Sequence, residues 1–239
     1  MKNRYTVPAK KINKTNSKLL EIVIFAAGAS ERMGRLGDKQ LIVLPNGKTL
    51  LNHQIEILSK LYNPCDIFVV VGHNHQKIID SVNHNVRFVI NEKYNETNIT
   101  HSMYLTGSLL KSKSLLVVYG DIYFDHLLYK EIRNVINEQS TIFTSQTGMH
   151  KETVCVRRNK NDNLSYICYD LKDCPSWSNM IYVLDDDWEI MQNLCIEPKQ
   201  HNKLFFEIIN GMVDLGCKIQ SVELPGIKEI DESKDFKKL

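Results

Sequence analysis

Short apolar runs rich in β-branched residues alternate along the chain with segments of helical periodicity. This alternation is typical of a mostly parallel sheet that helices cover on both faces. The sequence therefore predicts an α/β fold. The predicted strands are Glu21–Ala26, Asp66–Gly72, Val86–Asn91, Leu115–Tyr119, Thr141–Ser145 and, near the end of the chain, Lys218–Leu224.

Helices are predicted in the segments between these strands. Thr49 is a suitable N-cap for a helix whose apolar face includes Leu51, Ile55 and Leu58, and Asn63-Pro64 ends that helix. The later predicted helices are Ile99–Leu110, Leu127–Asn137, Trp188–Leu194 and Lys203–Leu215.

A β-hairpin is predicted in the middle of the chain. Thr153–Arg158 and Leu164–Tyr169 flank the polar turn residues 159–163, which favours two antiparallel strands joined by a turn. We therefore expect a small added β section at roughly residues 147–185. The first 20 residues are expected to form a polar N-terminal arm, and residues 21–239 a single domain.

Composition and charge restrict the possible partners. The 30 basic and 28 acidic residues give a formal net charge of +2, too small to indicate binding to nucleic acid. No apolar run reaches the roughly 20 residues that span a bilayer, so no membrane association is expected and the predicted location is the cytoplasm. The six cysteines form no CxxC pair and are expected to be reduced thiols. A small anion is the expected ligand.

The junction after the first strand indicates a phosphate-binding loop. Small residues at the end of a buried strand let backbone N–H groups approach an anion. The spacing differs from the dinucleotide fingerprint, and the P-loop Gly-Lys-Ser/Thr is absent. Arg32 and Lys39 supply positive charge. The candidate nucleotide-binding residues of this loop are Ala26, Ala27, Gly28, Ala29, Ser30, Met33 and Gly34.

A carboxylate is predicted at the same edge of the sheet. Gly120 and Asp121 follow the strand Leu115–Tyr119 at once, and ligands of open α/β sheets gather beyond the carboxyl ends of the strands. Asp121 is therefore a candidate metal ligand. The alternative is that Gly120-Asp121 only begins the next turn.

The sequence AAGASERMG followed by Lys39 resembles the signature loop of the nucleotidyltransferase superfamily, whose fold is Rossmann-like and of the GT-A type. Members usually carry proline before the lysine, whereas this chain has Asp38. The resemblance implies Mg²⁺ on Asp121 and on an aspartate of the closing segment Gly226–Asp231, for which Asp231 is the candidate and Glu229 a poorer one. The alternative for both is a solvated acidic tail.

The segment Asn91–Leu105 resembles the part of small-molecule cytidylyltransferases, such as the phosphocholine enzymes, that surrounds the base and the acceptor. The resemblance makes Asn98 and Ser102 candidate nucleotide contacts, together with Tyr119 and Gly120 beside Asp121. The alternative for Asn98 is a purely structural role as the helix cap.

The resemblance implies an enzyme that transfers a nucleotidyl group from CTP, or another NTP, to a small phosphorylated or phosphonate acceptor. Lys39 would bind the α-phosphoryl oxygens, Arg32 would neutralise the departing phosphates, and Mg²⁺ would be the cofactor. The product would feed the synthesis of surface polysaccharide, such as capsule, or of lipid headgroups. Two alternatives stay open: a sugar-1-phosphate uridylyl- or guanylyltransferase, and a non-catalytic nucleotide-binding regulator.

Several other features carry weaker predictions. Trp177 and Arg157 are candidates for the acceptor pocket, which makes the added β section the acceptor side of the domain. The alternatives are a packing role for Trp177 and a solvated surface position for Arg157. His73 and His75 are interpreted as loop histidines rather than zinc ligands. The acidic run at residues 185–187 is expected at a helix N-terminus, where it complements the helix dipole. The edge of the hairpin suggests a possible homodimer.

Overall fold

The structure of the protein is a computed structural model that describes residues 20–30, 33–34, 37–61, 65–112, 114–136, 139–145, 153–169, 171–184, 186–230 and 233–236. Its strands are β1 (Leu20–Ala26), β2 (Cys65–Val71), β3 (Arg87–Ile90), β4 (Ser114–Tyr119), β5 (Ile122–Phe124), β6 (Thr141–Ser145), β7 (Val154–Arg158), β8 (Leu164–Tyr169), β9 (Ser176–Leu184), β10 (Gln220–Glu223) and β11 (Ile227–Glu229). Its α-helices are α1 (Leu50–Leu58), α2 (His75–Ser81), α3 (Ile99–Gly107), α4 (Leu128–Val135), α5 (Asp186–Ile196), α6 (Phe205–Asp214) and α7 (Ser233–Phe236).

The main sheet has the strand order β10-β6-β9-β4-β1-β2-β3. Its pairs are parallel between β4 and β1, β1 and β2, β2 and β3, and β10 and β6. Only β9 runs antiparallel within this path, between β6 and β4. The predicted α/β fold with a mostly parallel sheet is confirmed.

Alternation along β1 distributes the core over two layers. Ile22 and Ile24 pack on one face with helices α1, α2 and α4, whereas Val23 and Phe25 pack on the other face with α3, α5 and α6. Successive side chains of a strand point to opposite faces, so a strand covered on both sides has a continuous apolar sequence. Within the described part of the chain, no helix has the length and apolar character needed to cross a membrane.

The start of α1 follows the predicted capping chemistry. Thr49 has an extended backbone, and its hydroxyl accepts a hydrogen bond from the Asn52 N–H, which satisfies one of the helix's unpaired donors. The acidic residues 186 and 187 lie in the first turn of α5, as predicted. Residue 185 lies outside the described residues.

The predicted hairpin is confirmed, since β7 and β8 pair antiparallel over their length. The strand that follows it, β9, was not predicted. Trp177 lies in β9, in the middle of the main sheet, because the following residues form a continuous buried run. The β section at roughly 147–185 thus joins the main sheet, and the assignment of residues 21–239 to one domain stays a prediction.

Glu21 is a buried carboxylate at the amino end of β1. It is 1% exposed, and its Oε2 atom accepts hydrogen bonds of 2.7 Å from the backbone N–H groups of Lys111 and Ser112. These bonds hold the connection between α3 and β4. Burial raises the pKa of Glu21 despite the two bonds, because charge is disfavoured away from water.

We predict that the stability of the protein depends on pH through Glu21. Because its folded pKa lies above the ordinary value of 4.5, the native state holds the proton to higher pH than the unfolded state, and stability falls as pH rises through this window. Glu21→Gln still accepts a hydrogen bond but carries no charge. Its free energy of unfolding relative to the unsubstituted protein should therefore increase as the pH rises above 4.5 in urea titrations.

The matched control is Glu223→Gln, which alters an exposed strand glutamate. Its stability relative to the unsubstituted protein should stay level over the same pH range. Equal pH profiles for the two variants would show that Glu21 does not carry this effect.

Candidate functional site

A cavity of about 650 Å³ opens at the carboxyl ends of β1 and β4. Cavities of this size accommodate small-molecule ligands. It lies where the sequence predicted a ligand, beyond the strand ends of an open α/β sheet. Its lining residues are Phe25, Ala27, Gly28, Ala29, Ser30, Lys39, Gln40, Asn91, Tyr94, Asn95, Thr97, Asn98, Ile99, Ser102, Tyr119 and Asp121.

The loop after β1 forms one wall of the cavity. Ser30 has a left-handed backbone with φ of 54°, and its Oγ atom accepts a hydrogen bond of 3.1 Å from the Lys39 backbone N–H. This contact brings the beginning of a 3-10 helix, Lys39–Leu41, against the loop. Ser30 and Lys39, nine residues apart in the chain, therefore face one cavity.

Lys39 and Asp121 form the charged pair of the site. The Lys39 Nζ atom lies 3.5 Å from the Asp121 Oδ2 atom. The side chain of Lys39 is 9% exposed and that of Asp121 is 24% exposed. In a cavity of low exposure, Lys39 can bind an anionic group of a ligand, and Asp121 can bind a cation.

Asp38, which stands where the superfamily usually has proline, fixes the chain just before Lys39. Its backbone φ of −67° is the value to which proline is locked, so aspartate preserves the backbone path. Its buried carboxylate accepts bonds of 3.1 and 3.2 Å from the Asn74 amide and pairs with Lys77 at 3.3 Å. His73 lies 3.9 Å away.

Asp121 owes its position to the close approach of β4 and β1. The Gly120 N–H donates to the Phe25 carbonyl at 2.8 Å. A Cβ atom at Gly120 would lie 2.7 Å from that carbonyl oxygen, so no other residue fits without moving the strand. Gly120 thus acts through packing, and it does not line the cavity.

Tyr119 lines the cavity at the end of β4, and Glu229 lies in the neighbouring strand pair β11-β5. Glu229 accepts a hydrogen bond of 3.0 Å from the Asn179 amide, and β11 pairs with β5 so that Glu229 lies opposite Ile122. Burial raises the pKa of Tyr119 well above its ordinary value, and the nearby charges of Asp121 and Glu229 add to this effect. Glu229, ranked below Asp231 from the sequence, therefore lies near the charged pair.

The start of α3 forms the wall opposite the loop. Asn98 caps this helix through its side-chain oxygen, which accepts from the Ile99 N–H at 2.8 Å, and it also lines the cavity. Both interpretations of Asn98 are thus compatible with its position. Ser102 is held by the buried Asn91 amide at 3.1 Å. A helix N-terminus facing a cavity favours an anion there.

The structure brings most of the predicted site residues to this cavity. Arg32 and Asp231 lie outside the described residues. The backbone N–H of Ile230, the neighbour of Asp231, donates to the Asp121 carbonyl at 2.8 Å. The predicted residues around this cavity are Ala27, Gly28, Ala29, Ser30, Lys39, Asn98, Ser102, Tyr119 and Asp121.

Three loop residues predicted as nucleotide contacts do not line the cavity. Ala26 is wholly buried in the core of the sheet, since β1 is covered on both faces. Met33 is 2% exposed and packs with Ile42, Leu50 and neighbouring apolar residues in a small cluster of its own. Gly34 has a positive φ of 55° and supplies a turn.

The two predicted acceptor-pocket residues also lie elsewhere. Trp177 is 6% exposed, its indole N–H donates to the Met180 carbonyl, and its ring packs edge-on against Tyr119 at 5.3 Å. It therefore supports Tyr119 from inside the protein. Arg157 is exposed on the hairpin and stacks over the Tyr166 ring at 5.8 Å.

Sequence reasoning missed several lining residues. Gln40, Tyr94, Asn95 and Thr97 line the cavity, but each is a polar residue in a loop or next to one, with no periodicity that marks it. Gln40 only follows Lys39 in the chain, and the resemblance of Asn91–Leu105 covers Tyr94, Asn95 and Thr97 without distinguishing them from their neighbours. His73 lies near Asp38 and Tyr94, as a loop histidine.

The donor atoms of the site suit a hard divalent cation. Asp121 presents carboxylate oxygens to the cavity, and Mg²⁺ prefers such ligands together with water and phosphate oxygens. Among the described residues, no group of three or more His, Cys, Asp or Glu side chains forms a complete metal cage. The other ligands of a cation held by Asp121 would thus come from the substrate or from residues outside the described part of the chain.

The fold and the charged cavity define a nucleotide-binding α/β protein, and comparison with known proteins gives the family. Residues 22–172, more than half of the chain, match the family model described as the MobA-like NTP transferase domain. The chain belongs to this family. It is therefore an NTP transferase, and the predicted nucleotidyltransferase superfamily and enzyme class are confirmed. Enzymes of this family typically use a divalent metal.

One curated relative is the bifunctional protein GlmU of Neisseria meningitidis. It is 35% identical over 104 residues, which are 43% of this chain and 22% of that protein. The match thus spans about a fifth of the relative's length.

Solved structures of similar fold come from enzymes with different substrates. CTP:phosphocholine cytidylyltransferase LicC from Streptococcus pneumoniae aligns with a TM-score of 0.76 at 20% identity, over 92% of this chain and 96% of that one. The inositol-1-phosphate CTP transferase from T. maritima gives 0.72 at 16% identity over 92% of each chain. A candidate glucose-1-phosphate thymidylyltransferase from Bacillus anthracis gives 0.73 at 14%, over 92% and 93%. These identities support the shared fold alone.

Proposed function

We propose that this enzyme is a Mg²⁺-dependent cytidylyltransferase that joins CTP to a small phosphorylated or phosphonate acceptor and releases pyrophosphate. The observation that carries the proposal is the pair of Lys39 and Asp121, 3.5 Å apart in a cavity that the glycine loop and the start of α3 also line. A cytoplasmic location, a homodimer and a role in surface polysaccharide or lipid headgroup synthesis stay predictions.

The reaction brings two anions together, so charge neutralisation and alignment are its main requirements. An oxygen of the acceptor phosphate attacks the α-phosphorus of CTP, the bond to the β-phosphate oxygen breaks, and pyrophosphate leaves. Lys39 binds oxygens of the α-phosphoryl group and stabilises their growing charge. Backbone N–H groups near Ala27 and Gly28 hold the nucleotide, and Arg32 neutralises the departing phosphates.

Asp121 holds the divalent cation in this proposal, with Asp231 or Glu229 as the second carboxylate. When bound, Mg²⁺ would polarise the phosphoryl oxygens and lower the repulsion between the two substrates. Lys39 lies beside Asp121, so a nucleotide whose cation was held by Asp121 would have its α-phosphate within reach of the lysine. The Asp121 carbonyl accepts a bond of 2.8 Å from the Ile230 N–H, a contact that does not involve the lysine.

The wall formed by Asn91, Asn98 and Ser102 supports a pyrimidine base. Its amide and hydroxyl groups can donate to and accept from the edge of cytosine. The side-chain oxygen of Asn98 is used by the helix cap, which leaves its NH₂ group as the donor for a ligand.

The surroundings of Tyr119 favour an acceptor with a cationic end. Tyr119 packs edge-on with Phe25 at 6.1 Å and with Trp177 at 5.3 Å, and the charge of Glu229 helps to raise the pKa of its hydroxyl. Aromatic rings and a carboxylate attract ammonium groups. A phosphorylated amino alcohol, such as phosphocholine, therefore fits better than the phosphate of an uncharged sugar.

The proposal predicts the outcome of a substrate screen. With Mg²⁺, pyrophosphate release should be fastest with CTP among the four NTPs and should require an acceptor with both a phosphate or phosphonate and a cationic nitrogen. Product masses should correspond to the nucleotidylated acceptor. Continuous pyrophosphate detection and mass spectrometry provide the two measurements.

Other outcomes of the screen separate the alternatives. Pyrophosphate release with UTP or GTP and a sugar 1-phosphate would contradict the proposal and identify a sugar-1-phosphate uridylyl- or guanylyltransferase instead. Binding of a nucleotide without turnover of any pair would favour the non-catalytic regulator, against which the family membership weighs.

Replacing Lys39 should remove charge stabilisation from the transition state. We predict that Lys39→Ala lowers kcat by about 100-fold or more, as the loss of other preorganised donors does. Lys60→Ala is the control, because Lys60 is an exposed lysine that also pairs with a carboxylate, Glu56, at 3.4 Å. Initial rates should be nearly unchanged in the control. Near-normal turnover by Lys39→Ala would exclude Lys39 from the reaction.

Replacing Asp121 should abolish the metal-dependent activity. We predict that Asp121→Asn loses Mg²⁺-stimulated pyrophosphate release, because an amide is a much weaker ligand for this cation. Asp125→Asn is the matched control, since Asp125 is an exposed aspartate that caps the Leu127 N–H just after β5. An unchanged Mg²⁺ titration in Asp121→Asn would refute the assignment.

A further inference from the structure

A single buried amide on α1 holds the turn that carries Asp121. Gln54 is 0% exposed, and its Nε2 atom donates to two backbone carbonyls, Tyr119 at 3.0 Å and Ile122 at 2.7 Å. These carbonyls belong to the residues on either side of Gly120-Asp121. Gln54 therefore bridges the two ends of the turn from beneath.

The orientation of the Gln54 amide follows from its partners. Both partners are carbonyl oxygens, which only accept, so the NH₂ group must face them. The side-chain oxygen of Gln54 is buried and has no hydrogen-bond partner among the described residues. The polar interactions of this side chain are thus directed at the turn alone.

The other contacts of the turn leave a defined role for Gln54. From β1, the Phe25 carbonyl accepts from the Gly120 N–H, and from the following segment the Ile230 N–H donates to the Asp121 carbonyl, each at 2.8 Å. Without Gln54, the carbonyls of Tyr119 and Ile122 would each lose a buried donor, and such carbonyls turn toward water or another donor. That rotation would displace the Asp121 carboxylate from Lys39.

We propose that Gln54 is a positioning residue for nucleotidyl transfer, which sets the place of the Asp121 carboxylate and thereby the affinity of the enzyme for its divalent cation. This inference rests on the proposed function. It extends the site into the interior, to a helix whose side chains do not line the cavity.

The test compares two buried amides of the same helix. Gln54→Met keeps the length and apolar body of the side chain but removes both donors. Asn52→Leu is the matched control, because the Asn52 amide, 6% exposed, donates to the Ser81 carbonyl and accepts from the Asn83 N–H, which lie on a different segment. Both variants lose buried hydrogen bonds, so both should have lower melting temperatures.

Only Gln54→Met should change the metal dependence. We expect the Mg²⁺ concentration for half-maximal pyrophosphate release to rise by about 10-fold or more, as when groups that orient metal ligands are removed. Asn52→Leu should stay within about two-fold of the unsubstituted enzyme, well short of that effect. Hydrogen exchange of the peptide spanning residues 115–124 should be faster in Gln54→Met and unchanged in Asn52→Leu.

The outcomes are distinguishable. An unchanged Mg²⁺ requirement and unchanged exchange in Gln54→Met would overturn the inference, as would equal metal shifts in the two variants. If the unsubstituted protein releases no pyrophosphate with any NTP, the proposed function fails, and the exchange measurement alone decides whether Gln54 orders the turn. Should Gln54→Met fail to fold, the shorter Gln54→Asn, which cannot reach both carbonyls, takes its place with the same expected changes.

Discussion

The parallel pairing of β1 with β4 is the constraint on which the candidate site depends. In this register Phe25 lies opposite Tyr119, so the glycine loop and Asp121 leave the sheet at the same edge. The approach is so close that only glycine fits at position 120. Any slip of this pair would separate the loop and Lys39 from the carboxylate. The charged pair is thus a product of strand register, and local sequence alone does not create it.

Much of the fold could be predicted because its elements have strong local signals. β1, β2 and β4 each contain five consecutive hydrophobic residues, and α1 begins after a threonine whose hydroxyl caps it. β9 was missed because Ser176, Ser178 and Asn179 interrupt the apolar pattern at its start. α2 was missed because only Ile78 of its seven residues is buried, which leaves no apolar face to detect. Tertiary pairing, rather than propensity, stabilises both elements.

The candidate site was predictable where a residue with a suitable functional group directly follows a strand. Asp121 and the loop after β1 follow predicted strands, and parallel strands bring such ends together. Gln54 and Asp38 had no such signal. Gln54 occupies the apolar face of an amphipathic helix, where the pattern indicates only burial, and Asp38 is bound by Asn74 and Lys77, residues far from it in the chain. Such roles depend on which backbone groups lie opposite, and that is a property of the tertiary structure.

The protonation of Tyr119 constrains the chemistry of the site. Burial and the nearby carboxylates keep its pKa well above the ordinary value, so the phenol stays protonated at neutral pH and can donate a hydrogen bond but cannot serve as a base. No histidine is found among the described residues that line the cavity. A hydroxyl nucleophile would need a base to remove its proton, whereas a phosphate or phosphonate oxygen is already anionic at this pH. The described side chains are therefore better suited to aligning an anionic nucleophile than to generating one, which agrees with a phosphorylated acceptor and with catalysis by charge neutralisation.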